Sequence, residues 1–405
     1  MRTDYLSAQD AAARLGVNLA TLYAYVSRGR IDSRPGPDGR TREYSASNIE
    51  QLIERKQAGR GAAQGAAHSL AWGLPVMETR ISLIRPRGHY YRGESAIALA
   101  KKGATLEETA RLLWDCGDYD PFAAEWSRPW TQTIALLLRP PDIPPLERTI
   151  AALPLLALDA MHAHSTDPQH RRREAACLLR ETAALLCAAQ PSAQPIHQVM
   201  AASWRKDATG LPELVRCALV LCADHELNAS SFATRVAAST GASLHAAACA
   251  GLATLSGPHH GGAVARAHAF IQEMLRERRP ADRVRERLRR GETLPAFGHT
   301  LYPEGDPRGA ALLQALQATR PRPGKLLAIE RLADAVQAQC GRPPNVDFAL
   351  AAIASAYELG ADTALATFAA GRMAGWLAHA LEQQESGNLI RPRASYVGRI
   401  PLREG

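Results

Sequence analysis

The 405-residue sequence lacks several features that would assign it to a protein class at once. No apolar run approaches the roughly 20 residues that are needed to span a bilayer. The N-terminal stretch "MRTDYLSAQDAAARLG" lacks the apolar centre of a signal peptide. Aromatic residues make up only 5% of the chain and much of the apolar content is Ala and Leu, which favours helices. We therefore expect a mainly helical, cytoplasmic protein that does not enter a membrane.

The short motifs of several common sites are also absent. The seven cysteines are scattered without CxxC spacing, which is typical of reduced thiols in a cytosolic protein. The chain has no HExxH pair, no phosphate-binding GxxxxGK[ST] or GxGxxG loop and no GxSxG turn. We therefore expect no metal site and no bound cofactor. The charge balance of 48 Lys and Arg against 40 Asp and Glu suits DNA or small polyanions without choosing between them.

The N-terminal part carries the signals of three short helices. Ser7 is placed to cap a first helix, which Gly16 ends, and Asn18 is placed to cap a second helix. Within the second helix, Tyr23 and its apolar neighbours at helical spacing should face inward. Ser47 should cap the third helix.

A Pro/Gly-rich stretch, "RPGPDGRTREY", separates the second and third helices, and its Asp-Gly pair predicts a β-hairpin. The whole unit, residues 1–58, resembles the MerR-like and excisionase-like DNA-binding modules through "AAARLGVNLATLYAYVSRGRI" and the tyrosine that closes the wing, Tyr44. In such modules the second helix enters the major groove. The resemblance implies DNA contacts by Asn18, Thr21, Tyr25, Arg28, Arg30, Arg34, Arg40 and Arg42. The alternative interpretation is a unit that docks on its neighbour or mediates assembly.

Residues 59–77, rich in Gly, Ala and Gln, indicate a linker. Beyond them the chain is a succession of helical patterns separated by Pro and Gly, without βαβ alternation. The predicted fold class is mainly α: a helical body preceded by a small winged helix-turn-helix domain.

Four distant segments of the body concentrate His, Asp and Arg beside glycines: "ADHELNAS", "SGPHHGG", "FGHTLYPEGDPR" and "NVDF". The adjacent His259 and His260 could form a metal site, a catalytic imidazole beside a bystander, or two surface groups. Neighbouring residues on a regular element point in different directions, which disfavours a shared metal ion. An Asp–His–His set with several arginines is left.

In this order the segments resemble the successive signatures of the citrate synthase family, with "HYYRG" before them and "RPRASYVG" after them. The resemblance extends from about residue 78 to 398. It implies a helical homodimer, with the active site between a large domain of residues 78–259 and 351–405 and a small domain of residues 260–350. It also implies an acyltransferase that joins acetyl-CoA or propionyl-CoA to oxaloacetate.

The resemblance assigns the roles of the site residues. Asp347 would remove a proton from the acyl-CoA, His260 would hydrogen-bond the enolate oxygen as a neutral imidazole, and His299 would protonate the oxaloacetate ketone. The carboxylates of oxaloacetate would be bound by His225, Arg308, Arg372 and Arg391. Arg391 would reach in from the partner subunit.

Three positions depart from the family pattern. Cys222 replaces a histidine that many bacterial members have, His259 replaces a leucine, and Pro303 replaces a Lys or Arg near the CoA phosphates. The largest departure is the helix-turn-helix unit itself. It raises a second interpretation, a transcriptional regulator whose synthase-like body senses a di- or tricarboxylate or an acyl-CoA without turnover. Retention of the complete acid/base set favours the enzyme.

Overall fold

The computed structural model describes residues 5–28, 30–36, 41–58, 77–123, 129–139, 142–160, 164–319 and 321–393. The chain divides into two units, and the second extends from Thr79 to Arg391. The predicted linker, residues 59–77, lies outside the described residues apart from its last position.

Three helices and a three-stranded antiparallel sheet make up the described part of the N-terminal unit. The helices are α1 (Ala8–Leu15), α2 (Leu19–Ser27) and α3 (Ala46–Ala58), and the strands are β1 (Tyr5–Ser7), β2 (Ser33–Pro35) and β3 (Arg42–Ser45). The strand order is β1-β3-β2. The predicted hairpin is confirmed, because Ser33 pairs with Tyr44 and Pro35 with Arg42.

Capping residues begin and end the first two helices as predicted. The Ser7 hydroxyl accepts a hydrogen bond from the Asp10 N–H at 3.2 Å, and the Asn18 side chain accepts one from the Thr21 N–H at 2.9 Å. Gly16 ends α1 with a φ of 61°, in the left-handed region that glycine enters without a Cβ penalty. These three predictions are confirmed.

The prediction for the cap of α3 is wrong by two residues. The helix begins at Ala46, and the hydroxyl that accepts a hydrogen bond from the Asn48 N–H, at 3.4 Å, is that of Ser45. Ser47 lies inside the first turn, where its hydroxyl is 2.9 Å from that of Ser45.

The inward face of α2 also differs from the prediction. Tyr23 is 49% exposed, whereas Tyr25 packs against the core formed by Leu22 and its neighbours, together with Val26. Residues at positions i, i+3 and i+4 share one helical face. Position 23 lies one residue after Leu22 and is therefore rotated off that face.

The body opens with a small antiparallel sheet that the sequence patterns did not predict. Its strands β4 (Ser82–Arg85), β5 (Gly88–Tyr91) and β6 (Glu94–Ser95) lie in that order. Strands of two to four residues are too short to show an alternating apolar pattern.

The rest of the described body is mainly helical, as predicted. Its helices are α4 (Ala96–Lys101), α5 (Leu106–Leu113), α6 (Gln132–Leu137), α7 (Pro145–Leu156), α8 (Pro168–Leu186), α9 (Ile196–Trp204), α10 (Leu211–Cys222), α11 (Ala229–Ser239), α12 (Leu244–Leu255), α13 (Gly262–Arg276), α14 (Pro280–Arg289), α15 (Pro307–Thr319), α16 (Pro323–Cys340), α17 (Val346–Ala356) and α18 (Ala361–Ser386), with a 3₁₀ turn at Ala157–Asp159. Proline holds the first position of α7, α8, α14, α15 and α16, where its missing N–H leaves no intrahelical bond unmade.

Helix α18 lies at the centre of the body. Every residue from 366 to 381 is buried, so its polar side chains need partners inside the protein. A Cβ atom on Gly371 would lie 2.8 Å from the Leu219 carbonyl oxygen. The Gly375 N–H donates to the Ala223 carbonyl at 2.9 Å. The two glycines thus allow the backbone of α18 to approach the end of α10 and the loop that follows it.

The described residues contain no candidate membrane span, no metal-binding cluster and no disulfide. No helix there has the length and apolarity to cross a bilayer. No group of three or more His, Cys, Asp or Glu side chains there could hold a metal ion. All seven cysteines are free thiols.

Candidate active site

Six of the predicted body residues come from six different places in the chain. His225 follows α10, His260 shortly precedes α13, His299 lies in the loop before α15, Arg308 is in the first turn of α15, Asp347 is in the first turn of α17, and Arg372 is in the middle of α18. The fold brings five of them together in two groups, one around Tyr302 and one around Phe368, and an ion pair connects the first group to the helix turn that carries Asp347.

Tyr302 is surrounded by three of the predicted residues. Its hydroxyl lies 3.0 Å from Nε2 of His225, and its ring centroid lies 4.9 Å from that of His299. The guanidinium carbon of Arg308 lies 5.6 Å from the same ring centroid. The two imidazole rings are themselves 5.3 Å apart. These three predicted oxaloacetate contacts therefore form one cluster.

An ion pair connects this cluster to the predicted base. Arg308 and Asp306 are both buried and are joined by two side-chain hydrogen bonds, of 3.0 and 2.8 Å. Asp306 Oδ2 also accepts a hydrogen bond from the Val346 N–H at 3.1 Å. Since Val346 begins α17, the ion pair fixes the helix turn that carries Asp347.

The second group surrounds Phe368. The guanidinium carbon of Arg372 lies 4.8 Å from the Phe368 ring centroid, and the His260 ring centroid lies 6.2 Å from it. Arg372 Nε donates to the Cys222 carbonyl at 3.0 Å. Burial raises the pKa of the Cys222 thiol to about 12, so this departure from the family pattern contributes an uncharged group beside two arginines.

His260 is held by a buried serine. Its Nε2 lies 2.8 Å from the Ser230 hydroxyl, which accepts a hydrogen bond from Trp376 Nε1 at 3.1 Å and lies 2.6 Å from the Asn228 amide oxygen. The hydroxyl has one hydrogen, which it donates either to Asn228 or to His260. In the second arrangement His260 carries its hydrogen on Nδ1. Donation from Nδ1 to a thioester oxygen requires that arrangement.

The main chain sets the tautomer of His299. Its Nδ1 lies 3.1 Å from the Leu301 N–H, which donates to it. An imidazole nitrogen that accepts a hydrogen bond carries no hydrogen, so the neutral ring carries its hydrogen on Nε2. His299 therefore presents an N–H donor on its other edge.

Burial and the two arginines keep the imidazoles of the site neutral. Burial and Arg372 lower the pKa of His260 to about 4. Burial and Arg308 lower the pKa of His299 to about 4. The same causes lower the pKa of His225 well below its usual value. At pH 7 all three side chains are therefore hydrogen-bonding groups without charge.

Asp347 has the opposite shift. Burial raises its pKa to about 6, although Arg308 and Arg372 oppose the rise. The residue as a whole is partly exposed, and the Asn345 side chain, which caps α17, accepts hydrogen bonds from the N–H groups of residues 347 and 348. A carboxylate with a pKa near neutrality is suited to general-base work.

Two further body residues that the sequence analysis discussed are Arg391 and His259. Arg391 is exposed, and its predicted place in a partner's site stays a prediction. His259 is exposed as well, in contrast to the partly buried His260.

The predicted DNA contacts differ in their exposure. Asn18, Arg28, Arg30, Arg34 and Arg42 are exposed, and Thr21 and Tyr25 are partly buried. Arg40 lies outside the described residues. Arg34 is engaged within the unit, because it donates two hydrogen bonds to Glu43 and stacks at 3.8 Å on the Tyr5 ring.

Four residues that contact the predicted site residues or their supports were not predicted: Ser230, Tyr302, Phe368 and Trp376. Tyr302 lies inside the quoted segment "FGHTLYPEGDPR", and Trp376 follows Arg372 by four residues, on the same face of α18. Spacing could have signalled these two. Ser230 also lies inside a quoted segment, "ADHELNAS", but a serine at a helix start is most often a cap, so its residue type did not indicate a contact with His260.

Sequence profiles match two parts of the chain: the family "Citrate synthase, C-terminal domain" over residues 69–393 and a helix-turn-helix domain over residues 5–57. Citrate synthase 2 of Bacillus subtilis is 38% identical over 184 residues, which are 45% of this chain and 50% of that protein. The 2-methylcitrate synthase of Shewanella oneidensis is 36% identical over 189 residues, again 45% and 50%. The matched segment thus spans about half the length of these relatives.

Solved structures match over a longer range. The citrate synthase of Thermotoga maritima has a TM-score of 0.66 at 23% identity and covers 82% of this chain and 96% of its own. The citrate synthase of Thermoplasma acidophilum, solved as a ternary complex with carboxymethyl coenzyme A and oxaloacetate, has a TM-score of 0.65 with the same identity and coverage. At this identity the likeness concerns the fold. Because the family profile matches more than half of the chain, the chain belongs to the citrate synthase family, and it carries an N-terminal helix-turn-helix domain.

Proposed function

We propose that the body condenses acetyl-CoA or propionyl-CoA with oxaloacetate and releases CoA, giving citrate or 2-methylcitrate. The observation that carries the proposal is the contrast in protonation between Asp347 and two histidines that are influenced by the same pair of arginines, Arg308 and Arg372. Asp347 has a pKa of about 6, whereas His260 and His299 are kept neutral by pKa values of about 4. The site thus combines one base with two uncharged hydrogen-bond donors. A binding site alone has less use for the base.

In the proposed reaction, the Asp347 carboxylate takes a proton from the carbon next to the thioester carbonyl. His260 donates a hydrogen bond to the enolate oxygen that forms, an interaction of a kind that contributes roughly 2.7–4 kcal/mol to a transition state. The enolate carbon attacks the ketone carbon of oxaloacetate, and Nε2–H of His299 protonates the ketone oxygen. Water then attacks the thioester carbonyl and the carbon–sulfur bond breaks, giving a carboxylate and the CoA thiolate. One proton of the water goes to the thiolate, so that CoA leaves as the thiol, the other returns to Nε2 of His299, and Asp347 releases its proton to solvent.

The arginines match the two carboxylates of oxaloacetate. Arg372 is buried, and burial lowers its pKa, so a bound carboxylate would relieve the cost of its desolvation. Arg308 is already paired with Asp306 and would position a carboxylate through its remaining N–H groups. We propose Arg391 of a second subunit as a further ligand. We also propose that the cleft lies between a large domain (78–259 and 351–405) and a small domain (260–350).

The purified protein, mixed with oxaloacetate and either thioester, should release free thiol, and Asp347→Asn should lower the rate at least roughly 100-fold because the base is removed. Asp334, an exposed carboxylate on α16, provides the matched control: Asp334→Asn should leave the rate unchanged. Absence of thiol release with both thioesters would refute the enzyme.

We further propose that the N-terminal unit binds DNA through α2 and its hairpin. The support is the exposure of Arg28, Arg30 and Arg42 beside a helix whose N-terminus, at Asn18, is also exposed. The double variant Arg28→Ala/Arg30→Ala should weaken binding to DNA from the protein's own upstream region. It should also reduce the slope of log affinity against log salt by about 1 per lost phosphate contact.

Fluorescence anisotropy over a series of salt concentrations measures both quantities. Arg14, which is exposed on α1 and paired with Glu50, is the control, and Arg14→Ala should bind like the wild type. Failure of the wild type to bind any fragment at low salt would leave docking or assembly as the role of the unit.

The second candidate function is a regulator whose body senses its ligands without turnover, favoured by the helix-turn-helix domain. It differs from the enzyme in one measurable respect. A sensor would be stabilised against thermal unfolding by oxaloacetate and would change its DNA affinity, yet would release no thiol from either thioester.

A further inference from the structure

A series of buried, hydrogen-bonded polar side chains ends at Asp224, the residue before His225. His379 on α18 places Nε2 at 3.2 Å from Asp224 Oδ1 and Nδ1 at 3.3 Å from Nη1 of Arg235. Arg235 also donates to the Gln383 amide oxygen at 3.0 Å and pairs with Glu382 at 2.9 Å. Asp224 and His379 are fully buried, and Arg235 is 3% exposed.

Donor and acceptor counting determines the state of the imidazole in this series. A guanidinium group only donates hydrogen bonds, so Nδ1 of His379 accepts from Arg235. The hydrogen of the neutral ring is then on Nε2, which donates to Asp224. Each of the three side chains has a partner, and reversing the ring tautomer would break both contacts of His379.

Asp224 holds the turn in which His225 is the central residue. Its Oδ2 accepts hydrogen bonds from the Ser82 hydroxyl and from the Glu226 N–H at 3.0 Å. Glu226 has a φ of 56°, in the left-handed region that a residue with a Cβ enters at a cost. The contacts of Asp224 therefore stabilise a strained turn, and this turn orients His225.

The charge of Asp224 depends on the same partners. Burial alone would raise the pKa of Asp224, but its interaction with His379, their hydrogen bond and the nearby Arg372 hold that pKa below its usual value. Without the donor from His379, a buried carboxylate would be left short of a partner, which is costly.

We propose that His379 is a positioning residue for oxaloacetate binding, acting through Asp224 on the turn that carries His225. The inference rests on the proposed function only for its substrate, oxaloacetate. His379 lies about two helical turns from Arg372, so one face of α18 would supply a carboxylate ligand and the support for a second ligand.

Two substitutions separate the two hydrogen bonds of the ring. A glutamine amide reaches the position of Nε2, so His379→Gln keeps the donor to Asp224. An asparagine amide reaches only the position of Nδ1, so His379→Asn keeps the contact with Arg235 and loses the donor. We expect His379→Asn to weaken oxaloacetate binding roughly tenfold or more, because a buried charged partner is left unsatisfied, and His379→Gln to bind within about threefold of the wild type.

The dissociation constant of oxaloacetate is measured by calorimetry, well below the melting temperature of each variant, and the KM for each substrate by thiol release. The KM for the acyl-CoA should be unchanged in both variants. His197, another buried imidazole, lies on α9, and His197→Asn is the control for loss of a buried ring, with no expected change in oxaloacetate affinity. Because His379→Asn could impair folding, Ser82→Ala, which removes a second donor to Asp224 from the partly buried strand β4, should also weaken oxaloacetate binding.

The outcomes distinguish this inference from the proposed function. If no thioester is turned over, but oxaloacetate binds and His379→Asn weakens it, the enzyme fails and the positioning role is supported. If His379→Asn and Ser82→Ala bind oxaloacetate like the wild type, or if Gln and Asn at position 379 weaken it equally, the positioning role is overturned. A wild type that does not bind oxaloacetate overturns both.

Discussion

At the scale of the residue, two neighbouring carboxyl groups illustrate how the surroundings assign a role. Burial acts on both, yet Asp306 is paired with Arg308, which holds the pKa of Asp306 below its usual value. Asp347 has no such pair among the described residues, and burial raises its pKa to about 6. Divergent pKa values in one site separate a group that transfers protons from one that stays charged.

The raised pKa of Asp347 predicts a pH dependence of both activity and stability. The base works when ionised, so kcat/KM should rise with pH through about 6. A folded-state pKa above the unfolded value stabilises the protein at low pH, and this stabilisation is lost as the pH rises through the folded pKa. Asp347→Asn should therefore raise the free energy of unfolding by about 1–2 kcal/mol at pH 8 and by little at pH 4.

Urea unfolding of both proteins at the two pH values measures this difference. An equal effect of the substitution at pH 8 and pH 4 would contradict the assigned ionisation.

The serine behind His260 provides a prediction with a matched control next to it. Ser230→Ala removes the hydroxyl that orients the ring and should lower kcat roughly 10- to 100-fold, with little change in the KM for oxaloacetate. The adjacent Ser231 is equally buried, but its hydroxyl has no hydrogen-bond partner within the described structure, so Ser231→Ala should leave kcat unchanged. Steady-state thiol release tests both, and equal losses in the two variants would refute the role of Ser230.

The sequence motifs indicate the candidate catalytic side chains more fully than the residues that support them. His260 and Asp347 occur in motifs with restrictive spacing, and Arg372 acts electrostatically on both side chains. Ser230 contacts His260, and Trp376 contacts Ser230, only because the fold brings segments together that are remote in sequence. No local sequence pattern encodes such contacts. The sequence placed Tyr23 inward and Tyr25 among the DNA contacts, whereas Tyr23 is exposed and Tyr25 is partly buried. Apolar spacing alone did not distinguish the two tyrosines.

At the scale of the element, α18 contacts site residues and their supports on several other parts of the chain. Phe368, Arg372, Trp376 and His379 follow one another at spacings of three or four residues, which places them on one face. They contact His260, the Cys222 carbonyl, Ser230 and Asp224 in turn. Because the helix is buried on every side, its apolar periodicity carried no information about which face held these groups.

The cap of α2 gives a prediction that separates stability from DNA contact. Asn18→Ala removes the hydrogen bond to the Thr21 N–H and should destabilise α2 by about 1 kcal/mol. Asn18→Asp keeps the cap and should retain that stability, but its negative charge should weaken DNA binding. Hydrogen exchange of the α2 amides in the full-length protein measures the first effect and anisotropy the second. Equal exchange rates in the wild type and Asn18→Ala would contradict the capping role.

Element boundaries were predictable where a single local hydrogen bond decides them. Gly16 determines the C-terminus of α1, and Asn18 determines the N-terminus of α2. The start of α3 was misassigned because Ser45 and Ser47 are both able to cap, and only the end of β3 selects the first. The sheet β4–β6 depends on pairing between segments of two to four residues, for which the sequence shows no periodic signal.

At the scale of the whole molecule, several buried imidazoles of the site have lowered pKa values and stay neutral at pH 7. Keeping them neutral lowers the stability of the folded protein in acid. Burial and Arg308 lower the pKa of His89 to about 3, and His225, His260 and His299 are lowered as well. His89 is fully buried on β5, with its ring 6.1 Å from that of His225. The unfolded chain thus protonates these imidazoles more readily than the folded protein does.

Acid should therefore destabilise the protein well above the pH at which carboxylates titrate. The folded pKa values of these imidazoles lie below the unfolded value near 6.5, so stability falls as the pH drops from about 6.5 to about 4, by on the order of 1 kcal/mol per group per pH unit. The raised pKa of Asp347 has the opposite effect on stability and offsets the loss from only one of these imidazoles. Urea unfolding between pH 7 and pH 5 measures the slope, and His89→Leu should make it shallower. A midpoint that is independent of pH across this range would contradict the neutral assignment.

The hydrogen bond from the Leu301 N–H to His299 has a consequence for how this site can change. A donor that belongs to the main chain is present whatever side chain stands at position 301, so mutational scanning with alanine would find nothing there. Proline alone deletes the hydrogen. Almost every single substitution at position 301 therefore leaves the tautomer of His299 unchanged. A substitution of His299 itself would still remove the group that delivers the proton in the proposed reaction.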